Sequence, residues 1–350
     1  MGQDIAAGQD DGPFVSVVIN CYNYGRLLPR LFRSIEDQVF RDFEVVIVND
    51  CSTDNSHEAI CGFIDSNPDV SVKYIRNERR KGIGEGQNSG AYASSGKYLM
   101  FVDADDWMDP DCLQILADKA AEEDSDRVIG SYRYVNDEGK VLKEQIIDGD
   151  LSTRWFYTMQ QANLFKRSVY VDNGIVIGNS RYQDNEATFR FDMFCRRVSY
   201  VQAIAFNYYI HVSESRDNQS IYEKMVKGDA YWRTAPLFET YRAEIYDKLT
   251  DSDRALFEYA VIRFYYSLIL QRAQGMTYRQ SREIYDIIKA EFKGSFPEYL
   301  HNELVFKKPI GNGWIRRRVA AICAVLEKTG TMKLFLLPYS IITRNRRIMN

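Results

Sequence analysis

The chain lacks the features that would place it outside the reducing interior of a cell. Its six cysteines, at 21, 51, 61, 112, 195 and 323, form no CxxC pair, which argues against a disulfide framework and for small core thiols in a reducing compartment. No apolar run approaches the roughly 18 residues that a bilayer crossing needs. The opening Met1–Asp10 has no basic segment leading into an apolar one, so it predicts neither a signal peptide nor a membrane anchor. Residues 1–13 are expected to be a polar, disordered lead-in. Internal repeats and low-complexity linkers are also missing, and no nucleic-acid-binding motif accompanies the basic residues. Nucleic acid is therefore not an expected partner.

What is present describes an ordered globular protein. At 350 residues, 45% hydrophobic and 13% aromatic, the chain can bury a large core in one big domain with an appendage, or in two domains. Its formal net charge is only −4, yet residues 301–350 hold ten Lys or Arg against Glu303 and Glu327. That segment is +8 and the remainder −12. Such asymmetry points to an anionic surface as a partner of the tail.

The first hundred residues alternate short buried strands with helical patterns. Phe14–Ile19, Phe43–Val48, Val70–Ile75 and Lys97–Val102 read as strands, the first, second and fourth as continuous apolar runs of the kind buried on both faces. Between them, Arg26–Val39, His57–Ile64 and Glu85–Ser94 carry helical spacing, and the Ser/Thr/Asp-rich 49–56 segment offers an N-cap to the second helix. This alternation predicts an α/β domain with a mostly parallel central sheet flanked by helices, whose ligands bind beyond the carboxyl ends of the strands. Asn20, Asp50 and Asp103 each close an apolar strand and so should gather at one edge. From about residue 221 the pattern changes to long helices.

The run Tyr98–Val102 ends in Asp103-Ala104-Asp105-Asp106, three carboxylates within four residues. Like charges so close repel one another unless a cation, or a cation carrying phosphates, lies between them. A metal-assisted site is the expectation. The alternative is a solvated acidic loop or helix cap, the reading adopted for Asp109-Pro110-Asp111.

Four segments in order carry a resemblance. Val15–Asn23, Val48–Ser56, Gly82–Gly90 and Gly96–Asp106 together resemble the strand, turn, helix and metal motifs of family-two inverting glycosyltransferases with a GT-A fold. In that family Asp103-Ala104-Asp105 corresponds to the DxD motif, which holds the donor ribose and a divalent cation, Mg2+ or Mn2+, on the diphosphate. The resemblance places Asp103, Asp105 and Asp106 at the metal. It places Asn20, Cys21, Tyr22, Asp50, Gln87, Asn88, Asp103, Ala104 and His211 at the nucleotide sugar. Hard divalent cations prefer oxygen ligands and leave positions for water and phosphate, which suits an acidic turn without a closed cage.

Arg181–Thr188 resembles the acceptor-side acidic motif. Asp184 then corresponds to the general base that takes a proton from the attacking hydroxyl, with Glu186 as a substitute, because Gln183 stands where the family has Glu. Gln87 replaces a usual arginine before Asn88, and Asn49 replaces a frequent aspartate beside Asp50. His211 lies where a cation commonly faces the diphosphate and is otherwise a structural histidine among aromatics. Gly82, Gly84 and Gly86 do not form a dinucleotide fingerprint, since they follow a charged run and are spaced GxGxG. Trp107 and Trp155 are either sugar-stacking rings or core.

The expected organisation is a disordered N-terminus over 1–13, a GT-A glycosyltransferase domain over 14–220 and a helical region over 221–350 with a basic amphipathic tail. The expected reaction moves a sugar from a nucleotide-diphosphate donor to a hydroxyl of a glycan or lipid-linked acceptor, in cell-surface polysaccharide synthesis. A cytoplasmic location follows, with 306–347 either touching an anionic membrane or packing on the preceding helices. Homo-oligomerisation through those helices fits as well. The alternatives are a catalytically silent sugar-nucleotide-binding scaffold and a metal-dependent nucleotidyltransferase. The latter would want a basic glycine-rich loop directly after the first strand, and Asn20–Gly25 holds no Lys or Arg.

Overall fold

The computed structural model describes residues 12–149, 151–179, 181–210, 218–229, 232–306 and 314–346. Its strands and helices follow the apolar pattern closely at the start of the chain. Strand β1 (Val15–Cys21) leads to α1 (Leu28–Glu36), β2 (Phe43–Asn49), α2 (Ser56–Ser66), β3 (Ser71–Arg76), α3 (Ile83–Ala93) and β4 (Tyr98–Asp103). The remaining strands are β5 (Trp107–Met108), β6 (Arg127–Val135), β7 (Val141–Gln145), β8 (Asn163–Lys166) and β9 (Val198–Tyr209), with α4 (Cys112–Glu123) and α5 (Arg167–Asp172) between them. Helix α6 (Gln183–Asp192) precedes β9, and α7 (Asn218–Val226), α8 (Ala235–Thr240), α9 (Asp251–Ala273), α10 (Tyr278–Ser295), α11 (Trp314–Lys328) and α12 (Met332–Arg346) follow it.

One sheet runs in the order β3-β2-β1-β4-β8-β6-β9-β5, with β7 paired to β6. Its first four strands are parallel, and they are the strands that the apolar runs predict. The other half is mixed: β8 is antiparallel to both β4 and β6, β7 to β6 and β5 to β9, while β6 and β9 are parallel. This half departs from a mostly parallel sheet because short connections such as β6–β7 permit hairpins, whereas parallel pairs need long crossovers.

Register decides where the polar strand ends meet. Asn20 pairs beside Asp103 on one side and Val48 on the other, and Cys21 faces Asn49. The central strands are almost wholly buried, with Val17, Ile19, Val45, Val46, Ile47, Leu99 and Met100 at 0% exposure. Burying such side chains contributes about 1.5–3 kcal/mol each. Slippage by one residue would turn Asn20 and Asp103 away from one another.

The chain forms two compact units. The first takes residues through Leu151, Met159–Asn179 and Phe194–Ile210; the second takes Ser152–Thr158, Ser180–Met193 and the chain from His211 onward. The division differs from a single cut at 220. Two short segments from within 14–220 join the later helices because Trp155, Tyr182 and Phe189 belong to the aromatic core of the second unit. Among the described residues no helix is long and apolar enough to cross a membrane.

Candidate active site

The acidic turn grows out of β4. After Val102 the apolar run stops, Asp106 N–H donates to the Asp103 carbonyl at 3.0 Å, and this tight turn brings three carboxylates to one side. Ligand oxygens of Asp103, Asp105 and Asp106 lie within 4.8 Å of one another. Ala104, 2% exposed, anchors the turn in the core. Asp106 is itself buried, and its Oδ1 accepts from Tyr209 N–H at 2.8 Å, which ties the turn to the end of β9. Oxygen donors on a half-exposed strand end fit a hard divalent cation that keeps some positions for water or phosphate.

Two side chains that spacing in the sequence does not mark hold this turn. Arg30 from α1 donates from Nη2 to the Asp105 carbonyl at 2.7 Å. Its guanidinium lies 3.9 Å from the centre of the Trp107 ring and 4.4 Å from that of Tyr209, a double cation–π contact. Burial pulls its pKa down against the opposing pull of Asp105, Asp106 and Asp137. Trp107 is thus covered by Arg30, and Trp155 lies at 0% exposure in the second unit's core. Trp155 is a packing residue and not a sugar platform, because no face of its ring reaches solvent.

Gln161, 2% exposed, donates from Nε2 to Asp103 Oδ2 at 2.6 Å. Its neighbour Gln160 donates to Gln87 Oε1 at 3.3 Å. The loop bearing both amides turns at Ala162, whose φ of 59° lies in the left-handed region, at a cost of roughly 1–2 kcal/mol for a residue with a Cβ. The Ala162 carbonyl accepts from Gly130 N–H at 2.8 Å, which fixes that turn against β6. The only trace of this in the sequence is the polar pair Gln160-Gln161 ahead of a short strand.

The residues expected at the nucleotide divide into two groups. Asn20, Cys21 and Tyr22 stand at the end of β1, and Asn20 Oδ1 is buried with no hydrogen-bond partner. A Cβ on Gly86 would lie 2.1 Å from that atom, so glycine allows α3 to approach the strand end. Burial pushes the Cys21 thiol pKa up against hydrogen bonds from Ser56 and Ser52, which leaves an inert core thiol. Tyr22 lies under Arg80, whose guanidinium is 4.1 Å from the ring centre.

Asp50 and Asn88 are engaged with the protein itself. Asp50, 2% exposed, accepts from Asn77 Nδ2 at 2.9 Å, Lys81 N–H at 2.8 Å and Gly82 N–H at 2.8 Å. It anchors the 77–82 loop, in which Gly82 has a φ of +97°. Asn88 donates to the Ile177 carbonyl and accepts its N–H, both at 2.9 Å. Its amide clamps a backbone segment, and this use was not visible in the sequence. Asp109, read as a helix cap, instead receives Arg133 and Asn207, and Asp111 is the N-cap residue without a side-chain cap bond.

In the second unit, Asp184 and Glu186 both lie in the first turn of α6. Glu186 is buried and its Oε1 is held by Arg190 at 2.9 Å, which also reaches Glu244 at 2.6 Å. Asp184 is partly exposed, and its backbone carbonyl accepts from Thr188 Oγ1 at 2.9 Å. His211 lies outside the described residues.

Comparison with known proteins bears on the fold and the family. Residues 16–182 match the family described as Glycosyl transferase family 2. The chain is 26% identical to the putative glycosyltransferase EpsH of Bacillus subtilis (strain 168), over 69% of this chain and 74% of that protein. It is also 26% identical to the poly(ribitol-phosphate) beta-N-acetylglucosaminyltransferase TarP of Staphylococcus aureus (strain N315), over 65% and 71% respectively. Its fold is similar to that of mannosyltransferase PcManGT from Pyrobaculum calidifontis, solved with GDP-Man and Mn2+, with a TM-score of 0.55, 16% identity and coverage of 97% and 89%. With the acidic turn at the end of its fourth strand, the segment 16–182 carries the signature of glycosyltransferase family 2, and the chain has the GT-A fold.

Proposed function

We propose that this glycosyltransferase is metal-dependent and inverting. It moves one sugar from a nucleotide-diphosphate sugar to a hydroxyl of a glycan or lipid-linked acceptor, in the synthesis of a cell-surface polysaccharide. The observation that carries the reading is the cluster of Asp103, Asp105 and Asp106 oxygens at the carboxyl edge of the sheet. These residues would hold Mg2+ or Mn2+, which when bound neutralises the charge of the departing diphosphate. Support for the acceptor class comes from TarP, named for a poly(ribitol-phosphate) acceptor.

The protein's own groups divide the remaining work. Asn20, Tyr22, Gln87 and Asp103 orient the donor, and Asp50 keeps the 77–82 loop in place beside it. Asp184 takes the proton of the acceptor hydroxyl as its oxygen forms the bond to the anomeric carbon and the diphosphate oxygen leaves. A single displacement inverts that carbon. Asp184 is favoured over Glu186 as base because the Glu186 carboxylate is buried and already held by Arg190, whereas Asp184 is partly exposed.

The test is donor turnover with Mn2+ in three variants. Asp184→Asn is expected to bind donor normally and lose transfer by at least about 100-fold. Asp105→Asn is expected to lose metal-dependent donor binding itself, whereas Glu186→Gln retains transfer. Full transfer by Asp184→Asn would move the base elsewhere, and metal-independent activity of the unaltered protein would remove the cation from the scheme.

A further inference from the structure

The last two helices are amphipathic in the wrong sense for a simple packed bundle. On α12 the outward positions are Leu334, Leu337, Ile341 and Ile342, at 66%, 43%, 54% and 55% exposure. The inward positions include Leu336 together with Ser340 and Thr343. Spacing of i, i+3, i+7 and i+8 puts the four exposed side chains on one face. Along α11, exposed Arg318, Ile322 and Val325 follow the same helical spacing. Six of the fifteen large hydrophobic residues exposed in the described chain fall between Ile322 and Ile342. A clustered apolar face of this kind marks a contact surface.

Charge selects the partner. Residues 314–346 contain seven Lys or Arg and a single acid, Glu327. That acid faces inward, 6% exposed, and is bonded to Tyr265, Tyr266, Tyr285 and Lys289. Lys333 is paired with Asp286 of α10 at 2.7 Å, and by sequence the two helices together still carry an excess of six positive charges. A second copy of these helices would bring like net charges together, whereas an anionic lipid surface would accept both the leucine and isoleucine side chains and the positive excess of the segment.

We propose that the outward faces of α11 and α12 seat on the headgroup layer of an anionic membrane, with Leu334, Leu337, Ile341 and Ile342 entering the acyl boundary. The inference rests on this surface alone and is independent of the proposed chemistry. Its test is co-sedimentation of the full chain with vesicles of phosphatidylcholine, with and without phosphatidylglycerol. Binding is expected only to the mixed vesicles and should weaken as salt rises, since exposed charges are screened. The double variant Leu334→Asp/Ile341→Asp should bind at least about tenfold more weakly. A control at another exposed apolar residue, Leu142→Asp, should bind as the unaltered chain does. Equal binding by the double variant, or no binding by the unaltered chain, overturns the proposal. So does a dimer in light scattering that the double variant abolishes, which would give this face to a second copy.

Discussion

The guanidinium of Arg30, packed on the rings of Trp107 and Tyr209, donates to the main chain of the acidic turn at the Asp105 carbonyl. It therefore positions the turn through its backbone while sharing the field of Asp105 and Asp106. Arg30→Ala should raise the Mn2+ concentration for half-maximal activity about tenfold, with a smaller effect on kcat once metal saturates. Arg30→Lys should recover only part of this, because an ammonium cannot stack on the rings as a planar group. Metal titrations of activity in the two variants decide the matter, and an unchanged midpoint in Arg30→Ala would show the contact to be merely structural. At this scale Asp103, Asp105 and Asp106 were legible, since three carboxylates crowded at the end of an apolar run repel one another until a cation joins them. Arg30 was not, for on a helix it reads as one more charged residue. Asp50 and Asn88 looked like ligand contacts, but their hydrogen bonds within the protein depend on loops far away in sequence.

At the scale of elements, Glu44 shows how a strand can carry a buried charge. Lying on β2 at 2% exposure, it accepts from Ser16 Oγ at 2.7 Å, Ser95 N–H at 2.6 Å and Lys73 Nζ at 2.9 Å. Burial alone would raise its pKa, yet the bonds from Ser95, Ser16 and Lys73 win and the net shift is downward from the ordinary value of 4.5. A depressed carboxyl pKa contributes stability in full above the unfolded value and loses it as pH falls through the folded value. Resistance to denaturant should therefore fall below about pH 4.5, and Glu44→Gln should flatten that dependence while being less stable at neutral pH. A variant with the same acid slope would place the effect elsewhere. The parallel strands were readable because full burial leaves near-continuous apolar runs. In contrast, the two-residue β5 and the short β8 exist only through pairing with β9, β4 and β6.

For the whole molecule, the second unit depends on an ionic knot inside an aromatic core. Glu327 of α11 accepts from Tyr266 and Tyr285 at 2.8 Å and from Tyr265 at 3.2 Å, and pairs with Lys289 at 2.8 Å. Three helices, α9, α10 and α11, thus meet at one carboxylate. Burial, reinforced by the Glu327 charge, pushes the Tyr266 and Tyr285 phenols up, so they remain donors at every working pH. Glu327→Ala should cost about 3 kcal/mol in urea unfolding, because it leaves Lys289 and the phenols without their acceptor. A loss under about 0.5 kcal/mol would mean that the helices are held by packing alone. The long helical patterns foretold a helical region, but not its membership. Trp155, Tyr182 and Phe189 join it from earlier in the chain because large aromatic surfaces are buried wherever a matching core exists.

By itself the sequence determined the parallel strands, the order of the motifs and the acidic turn, since each follows from local periodicity and the repulsion of neighbouring carboxylates. Only the tertiary structure decided that Arg30 and Gln161 support that turn, that Asp50 and Asn88 bind loops, and which face of α12 meets solvent. Those outcomes rest on contacts between distant segments, and they are set by register and packing that no local pattern encodes.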